Sequence, residues 1–254
     1  MRLFLRFVGS WRGWVLPVLL LGGWEYTAHR DAAHAYAFVP LEQVIVAFRQ
    51  LIGNEELLLN LKGSLWRASG GLVIGVGAGV LTGLLMAFSG LARTLINPIY
   101  QSIRQVPLLG LTPLIALWVG NGEPAKIFII ALAAFFPMVL NVYEGLRNVD
   151  GRYGEVGYAF GLSRAQVLKR VLVPASLPSF FSGLQQAVPF AWIAAVAGEL
   201  LFNVGAGLGN LMMVAETNAR MDVIIVCTAT IALMGIAMSQ LVSFWSGYAL
   251  RWRR

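Results

Sequence analysis

Six apolar runs separated by short polar stretches constrain this chain more than any other feature. They lie at about Trp14–Ala28, Ala68–Phe88, Ile99–Val119, Ala125–Gly145, Ser179–Leu201 and Val223–Trp245. A bilayer core roughly 30 Å thick needs about 20 apolar residues per helix. Inside it every backbone N–H and C=O must be satisfied within the segment, so each run reads as a helix. The first run is short. The third and fifth contain Pro107, Pro113 and Pro189, which we expect continuous membrane helices to tolerate where neighbours satisfy the freed carbonyls. Charged residues make up only 12% of the chain, against about 25% in soluble domains. The fold class is therefore all-α integral membrane, with six transmembrane helices.

The basic residues supply an orientation. An even number of crossings puts both termini on one side. With the termini inside, thirteen Lys and Arg fall inside and six (Arg30, Arg49, Lys62, Arg67, Lys126, Arg220) outside. That bias places both termini in the cytoplasm of a bacterial inner membrane. The net charge of +7 does not indicate nucleic acid, because the basic residues are not clustered with aromatic platforms. Arg2, Arg6 and Arg12 precede the first run without a small-residue cleavage site, so it reads as a retained span rather than a leader. Cys227 is the single cysteine, which excludes an intrachain disulfide. His29, Asp31 and His34 do not share a helical face and have no further ligand nearby, so no metal site is expected. The segment between His29 and Arg67 is polar enough to be external, with helical spacing at Leu41, Val44, Ile45 and Phe48.

One polar stretch, residues 147–178, lies on the cytoplasmic side between two apolar runs. Ser163 followed by Gln166 is a capping-box pattern that starts a helix at Arg164. Val167, Leu168, Val171 and Leu172 then share one face, opposite Arg164, Gln166, Lys169 and Arg170. Gly161 is suited to a positive-φ turn after a shorter preceding helix, and Pro174 and Pro178 are expected to end the second one. The product is a two-helix knob suited to a groove on another protein.

Within this stretch Glu155, Gly161 and Val171-Leu172-Val173-Pro174 resemble the cytoplasmic loop of binding-protein-dependent ABC importer permeases. That pattern is Glu-Ala-Ala, three residues, Gly, nine residues, Ile-x-Leu-Pro. The anchors fall in register, whereas Val156 and Gly157 replace the alanines. The resemblance implies that Glu155, Gly157, Gly161, Leu162, Ser163, Arg164 and Pro174 dock an ATPase subunit. From about Arg67 to Trp245 the chain is similar to the sulfonate, taurine and nitrate branch. The matching stretches are Arg104-Gln-Val-Pro107, Pro113-Leu-Ile-Ala-Leu-Trp118, Gly122-Glu123-Pro-Ala-Lys126, Ala133-Ala-Phe-Phe-Pro137, Ala191-Trp192, Glu199 and Gly207-Leu208-Gly209. This implies a type I importer fold, a permease homodimer, two ABC ATPase subunits that bind ATP and Mg, and an external solute-binding protein. Residues 1–66 then form a first helix and external segment, and residues 67–254 a five-helix core.

The chain has no G-x-x-x-x-G-K-[ST] motif, so it is read as a transport subunit without cofactor or enzyme activity, energised by its partners. Gly71, Gly75, Gly79 and Gly83 form a smooth stripe for close helix packing, possible at the subunit interface. On the fifth run Ser182, Gln185, Pro189, Trp192, Val196 and Glu199 share one face. They either wall a pathway for a polar solute or hydrogen-bond between helices. Arg104 either attracts anions near the cytoplasmic end or snorkels to the interface. The reading is a permease for a small oxyanion, sulfonate or taurine ahead of nitrate. A thiamine precursor is the alternative within the class, and an ion-coupled secondary transporter the rival outside it.

Overall fold

The computed structural model describes residues 11–30, 38–202 and 205–253, and the structure is all-helical among them. Asp31 and His34, with Arg2, Arg6 and Arg254 of the charge count, lie outside the described residues. In chain order the helices are α1 (Trp11–Ala28), α2 (Leu41–Gly53), α3 (Glu56–Phe88), α4 (Gly90–Arg104) and α5 (Thr112–Val119). They continue with α6 (Glu123–Arg147), α7 (Gly151–Ala159), α8 (Arg164–Val167), α9 (Val173–Phe202), α10 (Leu208–Thr217) and α11 (Met221–Ala249).

Among the described residues, four stretches are long and apolar enough to cross a bilayer: α3, α6, the run from Arg164 to Phe202, and α11. A fifth crossing exists if α4 and the segment after it count as one span. Of the six expected spans, four or five are thus evident among the described residues; α1, with Arg12 and Glu25 in its 18 residues, falls short of the apolarity that the others have.

The third expected span is not a continuous helix. Its two halves meet at an angle of 97°. Pro107 lacks an N–H and disfavours helical backbone at Val106, so α4 stops at Arg104 and a 3₁₀ turn follows at Leu108–Leu111. Pro113 sits in the first turn of α5, where a missing donor costs little. These two prolines mark helix ends.

The opposite correction applies to Pro174 and Pro178, which do not end the knob's second helix. A π-helical turn at Leu168–Leu172 connects α8 directly to α9, which continues through Pro178 and Pro189. The wider turn lies just before Pro174, where an α-helix would press the ring against the carbonyl four residues back.

The chain divides into two compact units, each taken by itself. The first is drawn from the chain up to Leu58 and from Leu211–Thr230. In it, Trp24 Nε1 donates to the Val39 carbonyl at 2.9 Å and its ring meets Phe38 edge-on. The Glu25 carboxylate accepts the Leu41 N–H at 3.0 Å and so caps α2. Arg220 pairs with Asp222 at 2.7 Å, and that hydrogen bond holds the guanidinium pKa above its ordinary value.

The second unit, Leu59–Asn210 with Ile231–Arg254, is built around α6. The glycine stripe of α3 lies on α6 in parallel register. A Cβ at Gly71 or Gly75 would strike Ile130 or the Ala131 carbonyl, and one at Gly79 or Gly83 would lie 2.7 or 2.9 Å from Met138 or Val142. The stripe thus packs inside one chain and not at a subunit interface. On its other side α6 packs against α9 running antiparallel: Gly145 meets Ser179 and Gly183 meets Asn141. Met86, Tyr100 and Val139 form a buried cluster where α3, α4 and α6 meet.

Candidate functional site

The knob is built by two local devices. α7 ends in a Schellman turn: the Leu162 N–H donates to the Gly157 carbonyl at 3.1 Å and the Gly161 N–H to the Tyr158 carbonyl at 2.9 Å. Gly161 takes φ +77°, as its spacing leads one to expect. Two residues later the Ser163 Oγ accepts the Gln166 N–H and the Gln166 side chain accepts the Ser163 N–H, a complete capping box. Val167 is buried, Leu168, Val171 and Leu172 are half-buried beside it, and Arg164, Gln166, Lys169 and Arg170 are exposed. Gly157 is buried where the importer pattern has alanine, and a Cβ there would lie 3.0 Å from Val167. The glycine lets α7 and α8 close against each other.

The outward face of α7 is apolar. Tyr153, Val156 and Phe160 recur at helical spacing and are exposed, Phe160 by 83%. Sequence reasoning missed these three, although their spacing was the available signal. Glu155 is exposed between them and makes no hydrogen bond or ion pair among the described residues, so it does not brace α7 internally. Leu162 is half-buried, and Ser163 and Arg164 are exposed at the tip.

At the far ends of α6 and α9 lies a buried ionic cluster that sequence reasoning did not assemble. Arg67 forks onto both oxygens of Glu123, pairs with Glu199 at 2.9 Å, and donates to the Ala206 carbonyl. Glu199 also accepts from Ser64 Oγ at 2.8 Å and from the Gly209 N–H at 2.9 Å. Asn60 accepts the Gly207 N–H at 2.7 Å, and Ser64 accepts the Leu208 N–H at 2.9 Å. Gly207 and Gly209 allow this approach, since side chains there would overlap Glu199 or the Val196 carbonyl. Lys126 is fully buried, 3.4 Å from Glu123. The signal for the cluster was ionisable residues in apolar helices.

The polar stripe on α9 does not form one wall. Trp192 is 3% exposed, and its indole N–H donates to the Ile231 carbonyl of α11 at 3.0 Å. Glu199 is in the cluster, the Ser182 hydroxyl bonds back to the Pro178 carbonyl, and Gln185 is exposed. The adjacent face, Gln186, Phe190, Ile193 and Ala197, lines a cavity of about 350 Å³ instead. Arg104 and Leu109 close it from the broken segment, and Phe136 and Leu140 from α6. Of the residues expected to line a pathway, Arg104 alone borders this cavity.

Residues 75–254 match the family described as binding-protein-dependent transport system inner membrane component. A Bacillus subtilis protein named as an aliphatic sulfonates transport permease is 30% identical, over 96% of this chain and 88% of its own. The Escherichia coli protein of the same name is 32% identical, over 94% and 90%. A nitrate import permease protein of Leptolyngbya laminosa is 29% identical, over 89% and 82%. Among solved structures, an amino acid ABC transporter chain superposes with a TM-score of 0.65 at 19% identity, covering 78% of this chain and 96% of that one. A methionine ABC transporter chain gives 0.52 at 19%, covering 74% and 94%. At that identity these two establish the fold.

Proposed function

We propose, from the premise that this chain belongs to the binding-protein-dependent transport system inner membrane component family, that it forms half of a homodimeric import pathway. The cargo is a small oxyanion, an aliphatic sulfonate or taurine ahead of nitrate. Two cytoplasmic ABC ATPase subunits bind ATP and Mg and supply the energy, and an external solute-binding protein delivers the cargo. Both termini lie in the cytoplasm, as the positive-inside bias requires, and α1 supplies a sixth crossing.

The observation that carries this reading is the exposed apolar face Tyr153–Val156–Phe160 on a knob with capped helix ends. Aromatic side chains projecting from a rigid, polar-flanked element are the anchors a protein groove takes up. The sulfonate preference rests on the names of the Bacillus and Escherichia relatives, and the nitrate alternative on the Leptolyngbya relative. The secondary-transporter rival loses support from the ionic cluster, where each carboxylate is bonded to a basic group.

Detergent pull-down with the cognate ATPase subunit tests the proposal. Wild type should retain the ATPase, and Phe160→Asp should lose it at least tenfold while still inserting. A wild-type chain that retains no ATPase removes the importer reading.

A further inference from the structure

Resting on the permease reading above, we infer that the cavity at the broken third segment is a head-and-tail subsite for a chain-bearing monoanion, an alkanesulfonate of several carbons. The membrane subunit then discriminates among cargoes itself. Three observations carry this.

The first is the backbone. The chain turns by 97° between α4 and α5, and the residues of that break line the cavity. Unwound backbone at membrane depth is tolerated where it is covered by protein or borders a watered cavity. Interrupted membrane helices of this kind meet solute in transporters.

The second is charge. Arg104 is the one charged residue in the lining, and Gln186 the one other side chain there with strong hydrogen-bonding groups. Arg104 forms no ion pair among the described residues; it lies near Tyr100, whose hydroxyl also feels the Glu144 carboxylate. Tyr100 in turn is held by its bond to the Phe136 carbonyl at 2.8 Å. The last turn of α4 favours a cation at this position without neutralising it. A guanidinium fork next to a primary amide matches the oxygens of a sulfonate head.

The third is the remaining wall. Phe136, Leu140, Phe190 and Ile193 are apolar, and a volume of about 350 Å³ suits a small organic molecule. A bare nitrate would leave most of it empty. Each methylene buried against that wall should raise affinity about fourfold until the space is full.

The test uses the permease with its ATPase subunits in phosphatidylcholine nanodiscs, without the solute-binding protein. Radiolabelled ethanesulfonate and pentanesulfonate are measured by equilibrium dialysis. Wild type should bind pentanesulfonate at least tenfold more tightly than ethanesulfonate. Arg104→Gln should weaken both by tenfold or more. Ile193→Trp should abolish the chain-length preference, and Ile193→Ala should retain it. Arg104 and Ile193 are both exposed in the chain, so neither change disturbs its core. An identical preference in wild type and Ile193→Trp overturns the subsite. So does loss of binding when phosphatidylglycerol is added to the disc, which makes the cavity a lipid-headgroup site. Chain-length-dependent binding by a chain that retains no ATPase would uphold the subsite and remove the importer reading. Full ATPase retention with no chain-length dependence would do the reverse.

Discussion

Arg67 is bonded to Glu123, Glu199 and the Ala206 carbonyl, so its side chain connects α3, α6, α9 and the turn before α10. Glu199 is the counterpart on which this arrangement depends, because it is fully buried and also holds Ser64 and the Gly209 N–H. Removing one partner of a buried ion pair costs about 3–5 kcal/mol, since the other charge stays buried. Glu199→Ala should therefore lower stability by about that amount. Glu199→Gln, which keeps an acceptor for Ser64 and Gly209, should lose less. Tryptophan-monitored unfolding of the detergent-solubilised permease measures both, and an unchanged midpoint for Glu199→Ala would show that the pair holds nothing together. The ionisable residues were visible in the sequence but their pairing was not, because Arg67 and Glu199 are 132 residues apart. Counting charges puts Lys126 and Arg67 outside the bilayer without pairing them with anything.

The knob was legible because its causes are local: a capping box spans four residues and a Schellman turn six. The same directness predicts how it fails. Gly161 has open space around its Cα, so a side chain there would meet only the penalty of positive φ, about 1–2 kcal/mol. Gly161→Val should leave insertion and dimerisation intact, yet reduce ATPase association and binding-protein-stimulated hydrolysis severalfold. Normal transport with full coupling in that variant would make the loop a mere connector. Prolines were the less legible signal. Pro107 breaks a span, whereas Pro174, Pro178 and Pro189 lie inside a continuous run. A ring in the sequence does not say whether a neighbouring π turn will accommodate it. The α9 face stayed open between two readings for a similar reason: the 3–4 spacing identifies a stripe, but the partner helix decides which stripe is covered. Trp192 turned to α11, and the cavity took the face one residue further on.

For the molecule as a whole, α6 and α9 run antiparallel with the knob at one end of the pair and the ionic cluster at the other. Proposed topology puts the knob in the cytoplasm and the cluster outside. Lys126 is too buried to report on this, but Asn121, in the turn before α6, is exposed. An impermeant thiol reagent should label Asn121→Cys in intact cells and Ser163→Cys only after permeabilisation, with buried Cys227 silent. The reverse pattern inverts the orientation. The π turn at Leu168–Leu172 has a consequence on this scale too. It takes in one residue more than an α-helical turn would, and one residue is about 100° of rotation. Which way Tyr153 and Phe160 point thus depends on the length of this turn as well as on the side chains packed around Gly157. Val171 in this turn also packs near Gly157 of α7, so a single deletion here should both re-aim the knob and shift its own seat.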